Sequence, residues 1–174
     1  MLRILEITGP DILQGWGTRC SLWVSGCKHH CPHCQNQWTW KYEQGRVYSE
    51  QKQEILNEIK SFLSKEYYQG ITFSGGDPLY QDNDGLCEIY DIIQFVRKEF
   101  PTKDIWLYTG FTLEEIEKSN NYMMQKIVDN IDYLVDGKFK NDLKDISLRF
   151  RGSSNQTIWQ RDSKSGNFVK SELN

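Results

Sequence analysis

The segment CSLWVSGCKHHCPHCQN, residues 20–36, joins a short apolar stretch to a dense group of metal-binding side chains. Its first residues predict a strand that runs directly into the cysteines. Three of the five cysteines of the chain, and all three of its histidines, lie between residues 27 and 34. Thiolates and imidazoles are ligands that zinc and iron–sulfur centres use. The segment therefore predicts a metal site at the end of a strand.

The spacing of Cys27, Cys31 and Cys34 is C-x3-C-x2-C. Structural zinc sites usually close four protein ligands around the ion from paired C-x2-C units, and only one such unit is present here. A ferredoxin-type cluster uses four cysteines, but Cys20 lies in a predicted strand and Cys87 on a helix face, where free cysteine is usually a small core residue. Three thiolates on a four-iron cluster leave one iron open to another ligand. The spacing favours such a cluster and leaves zinc, with a histidine as fourth ligand, as an alternative.

Strand and helix patterns alternate along the chain. We predict strands over residues 2–8, 20–25, 71–74, 105–109 and 131–135, and helical patterns over 55–63, 86–100 and 113–128. Strands separated by helices pair in parallel with right-handed crossovers. Because 174 residues are too few for a complete barrel of about 250, we expect an α/β fold with a shortened, open parallel βα barrel, a partial TIM-like barrel. We place one domain at residues 1–160 and a polar, loose tail at 161–174.

The composition argues against several classes of function. The 21 basic and 24 acidic side chains leave a formal charge of -3, which is too mild to attract nucleic acid or an anionic membrane. No apolar run approaches the roughly 20 residues of a membrane span, and the N-terminus lacks the features of a signal peptide. We therefore expect a soluble, cytoplasmic protein that binds neither nucleic acid nor membranes.

Glycine-containing loops follow the predicted strands at residues 26–31, 74–78, 108–111 and 135–139. Parallel sheets build ligand sites at the carboxyl ends of their strands, so these loops should share one edge. Gly75 and Gly76 let the backbone approach a ligand closely, and backbone carbonyls there, with Asp77, can accept hydrogen bonds from an ammonium group. Alone, this segment is typical of an ordinary turn; beside the cysteines we interpret it as part of a cofactor site.

Several motifs resemble those of the glycyl-radical activating enzymes, which are radical S-adenosylmethionine enzymes. Residues 15–36 resemble their entry strand and cluster loop, and ITFSGGDPLY, residues 71–80, resembles their segment for the amino group of the cofactor. WLYTGFTLEE (106–115), DYLVDGKF (132–139) and RFRGSSNQ (149–156) resemble the subgroup that acts on anaerobic ribonucleoside-triphosphate reductase. The resemblance covers residues 1–160 and implies a barrel of the radical S-adenosylmethionine type there.

The resemblance also implies which residues hold the cofactors. The metal ligands would be Cys27, Cys31 and Cys34, which bind one [4Fe-4S] cluster whose open iron takes S-adenosylmethionine. The residues implied to contact S-adenosylmethionine are His33, Cys34, Gln35, Gly75, Gly76, Asp77, Tyr108, Thr109 and Asp136. His33 stands where many relatives place an aromatic residue beside the adenine, so its role stays open. We favour exposed loop positions for His29 and His30, and a solvent-facing Lys138.

The implied activity is that of an oxidoreductase: cleavage of S-adenosylmethionine by the reduced cluster leads to a glycyl radical on the large subunit of the reductase. An electron donor such as flavodoxin would complete the system. This chemistry requires no catalytic side chain beyond cluster and cofactor, in keeping with the lack of paired carboxylates or a nucleophile–base motif in the sequence.

Three alternatives remain at this point. The chain could activate another glycyl-radical enzyme or act on a small molecule by radical chemistry, although the YTGF and RGSSNQ segments argue against both. It could be a non-catalytic zinc-binding interaction module, which its metal content would reveal. It could also be a plain electron-transfer protein, which would hold a cluster without cleaving a cofactor.

Overall fold

Eight strands form one mixed sheet in the computed structural model, which describes residues 1–174. The strands are β1 (Arg3–Asp11), β2 (Thr18–Val24), β3 (Arg46–Val47), β4 (Tyr68–Gly75), β5 (Asp104–Tyr108), β6 (Tyr133–Asp136), β7 (Thr157–Arg161) and β8 (Phe168–Lys170). The α-helices are α1 (Tyr48–Leu63), α2 (Asn83–Glu99), α3 (Leu113–Lys118) and α4 (Tyr122–Val128). Every predicted strand and helical pattern corresponds to an observed element, and α3 and α4 divide the third helical pattern.

The sheet is parallel only at its centre. In the strand order β3-β1-β2-β4-β5-β6-β7-β8, the strands β2, β4, β5 and β6 run parallel, whereas all pairings outside them are antiparallel. The expectation of wholly parallel strands is corrected, because no α-helix lies between β1 and β2 or between β6 and β7, and antiparallel neighbours need no helical crossover. The α/β class is confirmed. The sheet ends at β3 and β8, and its closure into a partial barrel stays a prediction.

The helices cover one face of the central strands and form the main core there. Apolar residues of α1 and α2 recur at helical spacing and pack against alternate residues of β2, β4 and β5 in a cluster of 28 buried side chains. The helical residues in this cluster include Ile55, Leu56, Ile59, Leu63, Leu86, Ile89, Ile93 and Val96. This burial is the main term that stabilises the scaffold, since each fully buried aliphatic side chain contributes about 1.5–3 kcal/mol.

The opposite face of the sheet is more polar, because buried hydrogen bonds replace part of the apolar packing. Arg19 of β2 is fully buried there. Its Nε donates to Thr72 Oγ1 at 3.0 Å and its guanidinium pairs with Asp104 of β5. The Thr72 hydroxyl in turn donates to the carbonyl of Gln14 at 2.7 Å. These bonds hold the loop of residues 12–17 against this face, next to the strand ends that carry the predicted site.

The C-terminal tail is held by the sheet. β8 pairs with β7 from Phe168 to Lys170, and the Asn174 Nδ2 donates to the carbonyl of Ile158 at 2.8 Å. This corrects the expectation of a loose segment at 161–174, because a polar segment can be ordered by backbone pairing at a sheet edge. The domain boundary after residue 160 stays a prediction. No helix of the structure is both long and apolar enough to cross a membrane.

Candidate functional site

A cavity of about 420 Å³ opens at the carboxyl ends of the four parallel strands. Its volume lies in the usual range of small-molecule sites, roughly 300–1,000 Å³. Nine of the residues predicted for the site line it: Cys27, Cys31, Cys34, Gln35, Gly75, Gly76, Asp77, Tyr108 and Thr109. They come from the last residues of β4 and β5 and from the loops that follow β2, β4 and β5. The topology therefore brings together segments that lie up to about eighty residues apart in the chain, as expected for a parallel sheet.

The three motif cysteines share the wall of this cavity. Cys27 is buried, and Cys31 and Cys34 are half-buried. Burial raises the pKa of the Cys27 thiol to about 12, and Asp77 adds to the shift. Burial also raises the pKa of Cys31, and the nearby Cys34 thiol raises it further. In the metal-free chain at neutral pH the Cys27 thiol therefore keeps its proton, which a metal centre must displace on binding.

The cysteine arrangement fits a multinuclear centre. In this structure no three His, Cys, Asp or Glu side chains converge closely enough to hold a single metal ion. A four-iron cluster binds each thiolate through a different iron, so its ligands need not meet at one point. The backbone N–H of Asn36 donates to the Cys34 sulfur at 3.4 Å, a kind of bond that tunes iron–sulfur centres.

The two remaining cysteines lie outside the cavity lining. Cys20 is fully buried in the main core, as predicted. Cys87 is exposed on α2, so the prediction that it is a core residue was wrong. Its helix turns this position away from the face that carries Leu86 and Ile89, both of which are buried.

Asp77 is the centre of a buried hydrogen-bond network that joins three loops. Its side chain is 2% exposed. Oδ1 accepts from the backbone N–H of Leu79 at 2.8 Å, and Oδ2 accepts from that of Gly110 at 2.8 Å. The Thr109 hydroxyl donates to this carboxylate at 2.9 Å, and His29 Nε2 lies 2.8 Å from Oδ2. Because an ionised carboxylate only accepts hydrogen bonds, His29 Nε2 carries the proton.

These four donors give Asp77 a positioning role within the chain. A carboxylate offers about four lone-pair sites, and the four donors engage them. The predicted contact of Asp77 with the cofactor stays a prediction. The carbonyl of Gly76, which also lines the cavity, accepts no hydrogen bond from the chain and is free for an ammonium donor.

Gly76 also has a packing role that the sequence does not reveal. A Cβ at this position would lie 2.4 Å from the carbonyl oxygen of Gly26. The loop after β4 therefore approaches the backbone at the start of the cysteine loop more closely than any side chain allows. Its glycine is needed for loop packing as well as for access by a ligand.

The histidines occupy three different environments. The His29 side chain is 4% exposed and lies edge-on between Tyr80 and Phe111, with ring centroids 4.8 and 4.7 Å away. The expectation that it is exposed was wrong, because its bond to Asp77 draws it into the site. His30 is exposed, as expected. His33 is exposed and does not line the cavity, so its contact with the adenine stays a prediction.

Asp136 lies behind the site. It does not line the cavity, and its carboxylate accepts from the backbone N–H groups of Leu113 at 2.7 Å and Thr157 at 3.2 Å. It connects the end of β6 to the starts of α3 and β7. Its predicted contact with the cofactor stays a prediction.

Other cavity residues were not among the predicted metal ligands and cofactor contacts, although Gly110 and Gly137 lie in the glycine-containing loops predicted to share this edge. These other residues are Leu13, Gln14, His29, Asn36, Trp40, Ser74, Gly110, Gly137, Lys138, Phe139, Leu148, Phe150, Arg151, Gly152 and Gln156. The polar segment 149–156 was a visible signal for Arg151 and Gln156. Nothing in the sequence pattern indicates that Gln14, in the loop after an antiparallel strand, reaches the same cavity. Lys138 is exposed, as expected, although it also lines the rim.

We expect Gly110 to tolerate no side chain, because a Cβ there would lie 2.4 Å from the ring of His29. That ring is wedged between two aromatic side chains and cannot move aside freely. Gly110→Ala should therefore lower the free energy of unfolding of the metal-free protein by about 1–3 kcal/mol, as overpacking does. Urea denaturation measures this change.

The matched control is the same substitution in a His29→Ala background. There the methyl group has room, so the cost of Gly110→Ala should shrink by about 1 kcal/mol or more. Additive costs in the double-mutant cycle would contradict the proposed steric contact.

Comparison with known proteins places this site in a family. A family model described as a 4Fe-4S single cluster domain matches residues 13–159. The matched segment contains all three motif cysteines and every strand that ends at the cavity. An iron–sulfur cofactor agrees with the spacing of the thiols, and it favours the cluster over the zinc alternative.

The chain is also similar over most of its length to curated proteins that share one name, anaerobic ribonucleoside-triphosphate reductase-activating protein. It is 46% identical over 149 residues to that of Escherichia coli (strain K12), covering 85% of this chain and 92% of the relative. Identity to the Haemophilus influenzae protein is 40% over 158 residues, covering 90% and 97%. Identity to the Enterobacteria phage T4 protein is 38% over 149 residues, covering 86% and 88%. The cavity holds the three cysteines, and the 4Fe-4S domain match and the similarity to these relatives cover most of the chain. The chain therefore belongs to the family of anaerobic ribonucleoside-triphosphate reductase-activating proteins.

Proposed function

We propose that this protein is a radical S-adenosylmethionine oxidoreductase that generates a glycyl radical on an anaerobic ribonucleoside-triphosphate reductase. The observation that carries the proposal is the placement of Cys27, Cys31 and Cys34 on one wall of a cavity at the parallel strand ends. The names of the relatives at 40–46% identity supply the target. The proposal extends to a partial barrel of the radical S-adenosylmethionine type over residues 1–160.

The residues present fit both groups. The three cysteines would hold the [4Fe-4S] cluster, and the free carbonyl of Gly76 would accept from the ammonium group of S-adenosylmethionine. We retain Gln35 and Tyr108, which line the cavity, as further cofactor contacts. When bound, the two groups supply one-electron chemistry: reductive cleavage of a carbon–sulfur bond and removal of a hydrogen atom from a glycine.

The chain's own residues orient the reactants and keep water away. Trp40, Phe139, Leu148 and Phe150 give the cavity apolar wall area, which limits the water that could quench radical chemistry. Asp77 and His29 hydrogen-bond to each other and so connect the cysteine loop to the loop after β4. In this proposal neither acts as a general acid or base, because radical transfer to a glycine α-carbon needs no proton shuttle from the protein.

The substrate in this proposal is a loop of another protein, the large subunit of the reductase. The electron donor would be a small redox protein such as flavodoxin, and the site of action the cytoplasm. The sequence motifs YTGF and RGSSNQ support this target over another glycyl-radical enzyme or a small molecule.

Electron paramagnetic resonance on anaerobically reconstituted protein tests the proposal. The reduced protein should give a cluster signal that changes on adding S-adenosylmethionine, and a glycyl radical should appear on the added reductase subunit. A control without S-adenosylmethionine should give no radical. Zinc in place of iron would instead indicate an interaction module, and a cluster that never cleaves the cofactor would indicate electron transfer alone. Cofactor cleavage without a radical on the reductase would point to a different substrate.

A further inference from the structure

The segment 149–156 forms one wall of the cavity, and its backbone is held in an unusual conformation. Phe150 has a φ of 56°, in the left-handed region that non-glycine residues rarely adopt. The Tyr108 hydroxyl donates to the carbonyl of Phe150 at 2.8 Å, and the Phe150 ring packs edge-on against Trp106. Strained residues persist where the surroundings determine their conformation, and they are frequent at ligand sites. The residue that follows, Arg151, is thereby presented to the cavity.

Gln156 closes this segment and connects it to the loop after β6. Its Oε1 accepts from the backbone N–H groups of Gly152 at 2.9 Å and Ser153 at 3.2 Å. Its Nε2 donates to the carbonyl of Gly137 at 2.9 Å. Hydrogen bonds therefore fix this part of the cavity wall on both sides of Arg151, at Phe150 before it and at Gly152 and Ser153 after it.

The guanidinium of Arg151 is only partly used within the chain. Nη1 donates to the carbonyl of Gln156 at 2.7 Å. Nε is buried without a hydrogen-bond partner, and Arg151 forms no ion pair within 4.0 Å. The pKa of the exposed Asp145 carboxyl is lowered by hydrogen bonds from Ser147 and, to a smaller extent, by the charge of Arg151, with which it forms no ion pair. An unpaired buried donor is costly, so the geometry calls for an acceptor at Nε.

The charges around the cavity indicate what that acceptor is. The lining contains two cations, Lys138 and Arg151, and one carboxylate, Asp77, whose acceptor sites are filled. No carboxylate of the lining is therefore available to pair with Arg151. The Nε and Nη2 edge of an arginine matches the two oxygens of a carboxylate, a pairing that adds geometric specificity to the attraction of charge.

We propose that Arg151 binds the carboxylate of the amino-acid part of S-adenosylmethionine through its Nε–Nη2 edge. This inference rests on the proposed function, which supplies the ligand, and it assigns a specificity role to one residue of the RFRGSSNQ segment. Arg151 would select a ligand that carries a free carboxylate, while Gln156 holds the guanidinium in place through Nη1.

The test compares two ligands and two variants on the cluster-reconstituted protein. Equilibrium dialysis measures the dissociation constants of S-adenosylmethionine and of decarboxylated S-adenosylmethionine, which lacks only the carboxylate. Arg151→Gln should weaken binding of S-adenosylmethionine by about 10- to 100-fold, the loss typical of a hydrogen bond to a charged group. Binding of the decarboxylated ligand should change by less than about two-fold. Arg149→Gln is the matched control, because Arg149 is exposed two residues away and does not line the cavity; it should leave both constants unchanged.

Arg151→Lys keeps the positive charge but loses the two parallel N–H donors of the guanidinium. It should therefore weaken binding of S-adenosylmethionine less than Arg151→Gln does, and it should still leave binding of the decarboxylated ligand unchanged. If Arg151→Gln does not fold, Arg151→Lys provides the same comparison of the two ligands. Equal weakening of both ligands in either variant, or no weakening, overturns the assignment to Arg151 while the proposed function stands. If the unaltered protein binds neither ligand, the proposed function fails and the assignment fails with it.

Discussion

Cys31→Ser is expected to remove the iron–sulfur cluster. Iron and sulfide contents after anaerobic reconstitution should fall more than about tenfold, because serine offers a hard, protonated hydroxyl where the cluster requires a soft thiolate. The visible absorption of the cluster should fall in parallel. The physical basis is that Cys31 is one of only three thiols on the cavity wall, so a single loss leaves two protein ligands.

Cys87→Ser is the matched control for this experiment. Cys87 is also a free cysteine, but it is exposed on α2 and does not line the cavity. Its variant should retain the full iron content. Full iron content in Cys31→Ser, or a loss in Cys87→Ser of similar size, would contradict the assignment of the ligands.

Asp77→Ala is expected to destabilise the metal-free protein by about 3 kcal/mol or more. The substitution leaves four donors without their acceptor: the N–H groups of Leu79 and Gly110, the Thr109 hydroxyl and His29 Nε2. Each unsatisfied buried donor costs about 1–3 kcal/mol, and partial relaxation toward solvent in the open cavity reduces the sum. Urea denaturation without metal isolates this effect from cluster binding.

Asp142→Ala provides the comparison, because Asp142 is exposed and outside the cavity lining. Removing it should change the free energy of unfolding by less than about 0.5 kcal/mol, as for most surface positions. If Asp77→Ala were equally mild, the network could not be what holds the loops together.

The Asp77 network explains how a site built from loops can be rigid. The carboxylate joins the cysteine loop, through His29, to the loop after β5, through Thr109 and Gly110. The cysteine loop and the loop after β5 are thereby both hydrogen-bonded to Asp77, which lies in the loop after β4. A change in any of these contacts should reach the predicted cluster ligands, since Cys27 and Cys31 flank His29 in the chain.

Much of the scaffold was predictable because its signals are local. Apolar residues at helical spacing mark α1 and α2, and the glycines after β4, β5 and β6 mark strand ends. The outer strands β3, β7 and β8 were not predicted, because they lack the continuous buried apolar run that marks the equally short β5 and β6. The antiparallel direction of β1 was also missed, since direction depends on how a connection crosses the sheet.

By itself, the sequence determined where the three thiols of the predicted metal site lie and the order of the central elements. Cys27, Cys31 and Cys34 lie within eight residues, so their spacing alone restricts the centre they can hold. Tertiary structure decided which other groups face that centre. His29 and Asp77 are 48 residues apart, and Gly110 lies 33 residues beyond Asp77. Their contact depends on strand register and on the paths of three loops. The same holds for Arg151, whose free edge exists only because Gln156 and Tyr108 hold its segment against the cavity. Local patterns encode covalent neighbours and periodic faces, whereas hydrogen bonds between distant loops arise only when the sheet brings the strand ends to one edge.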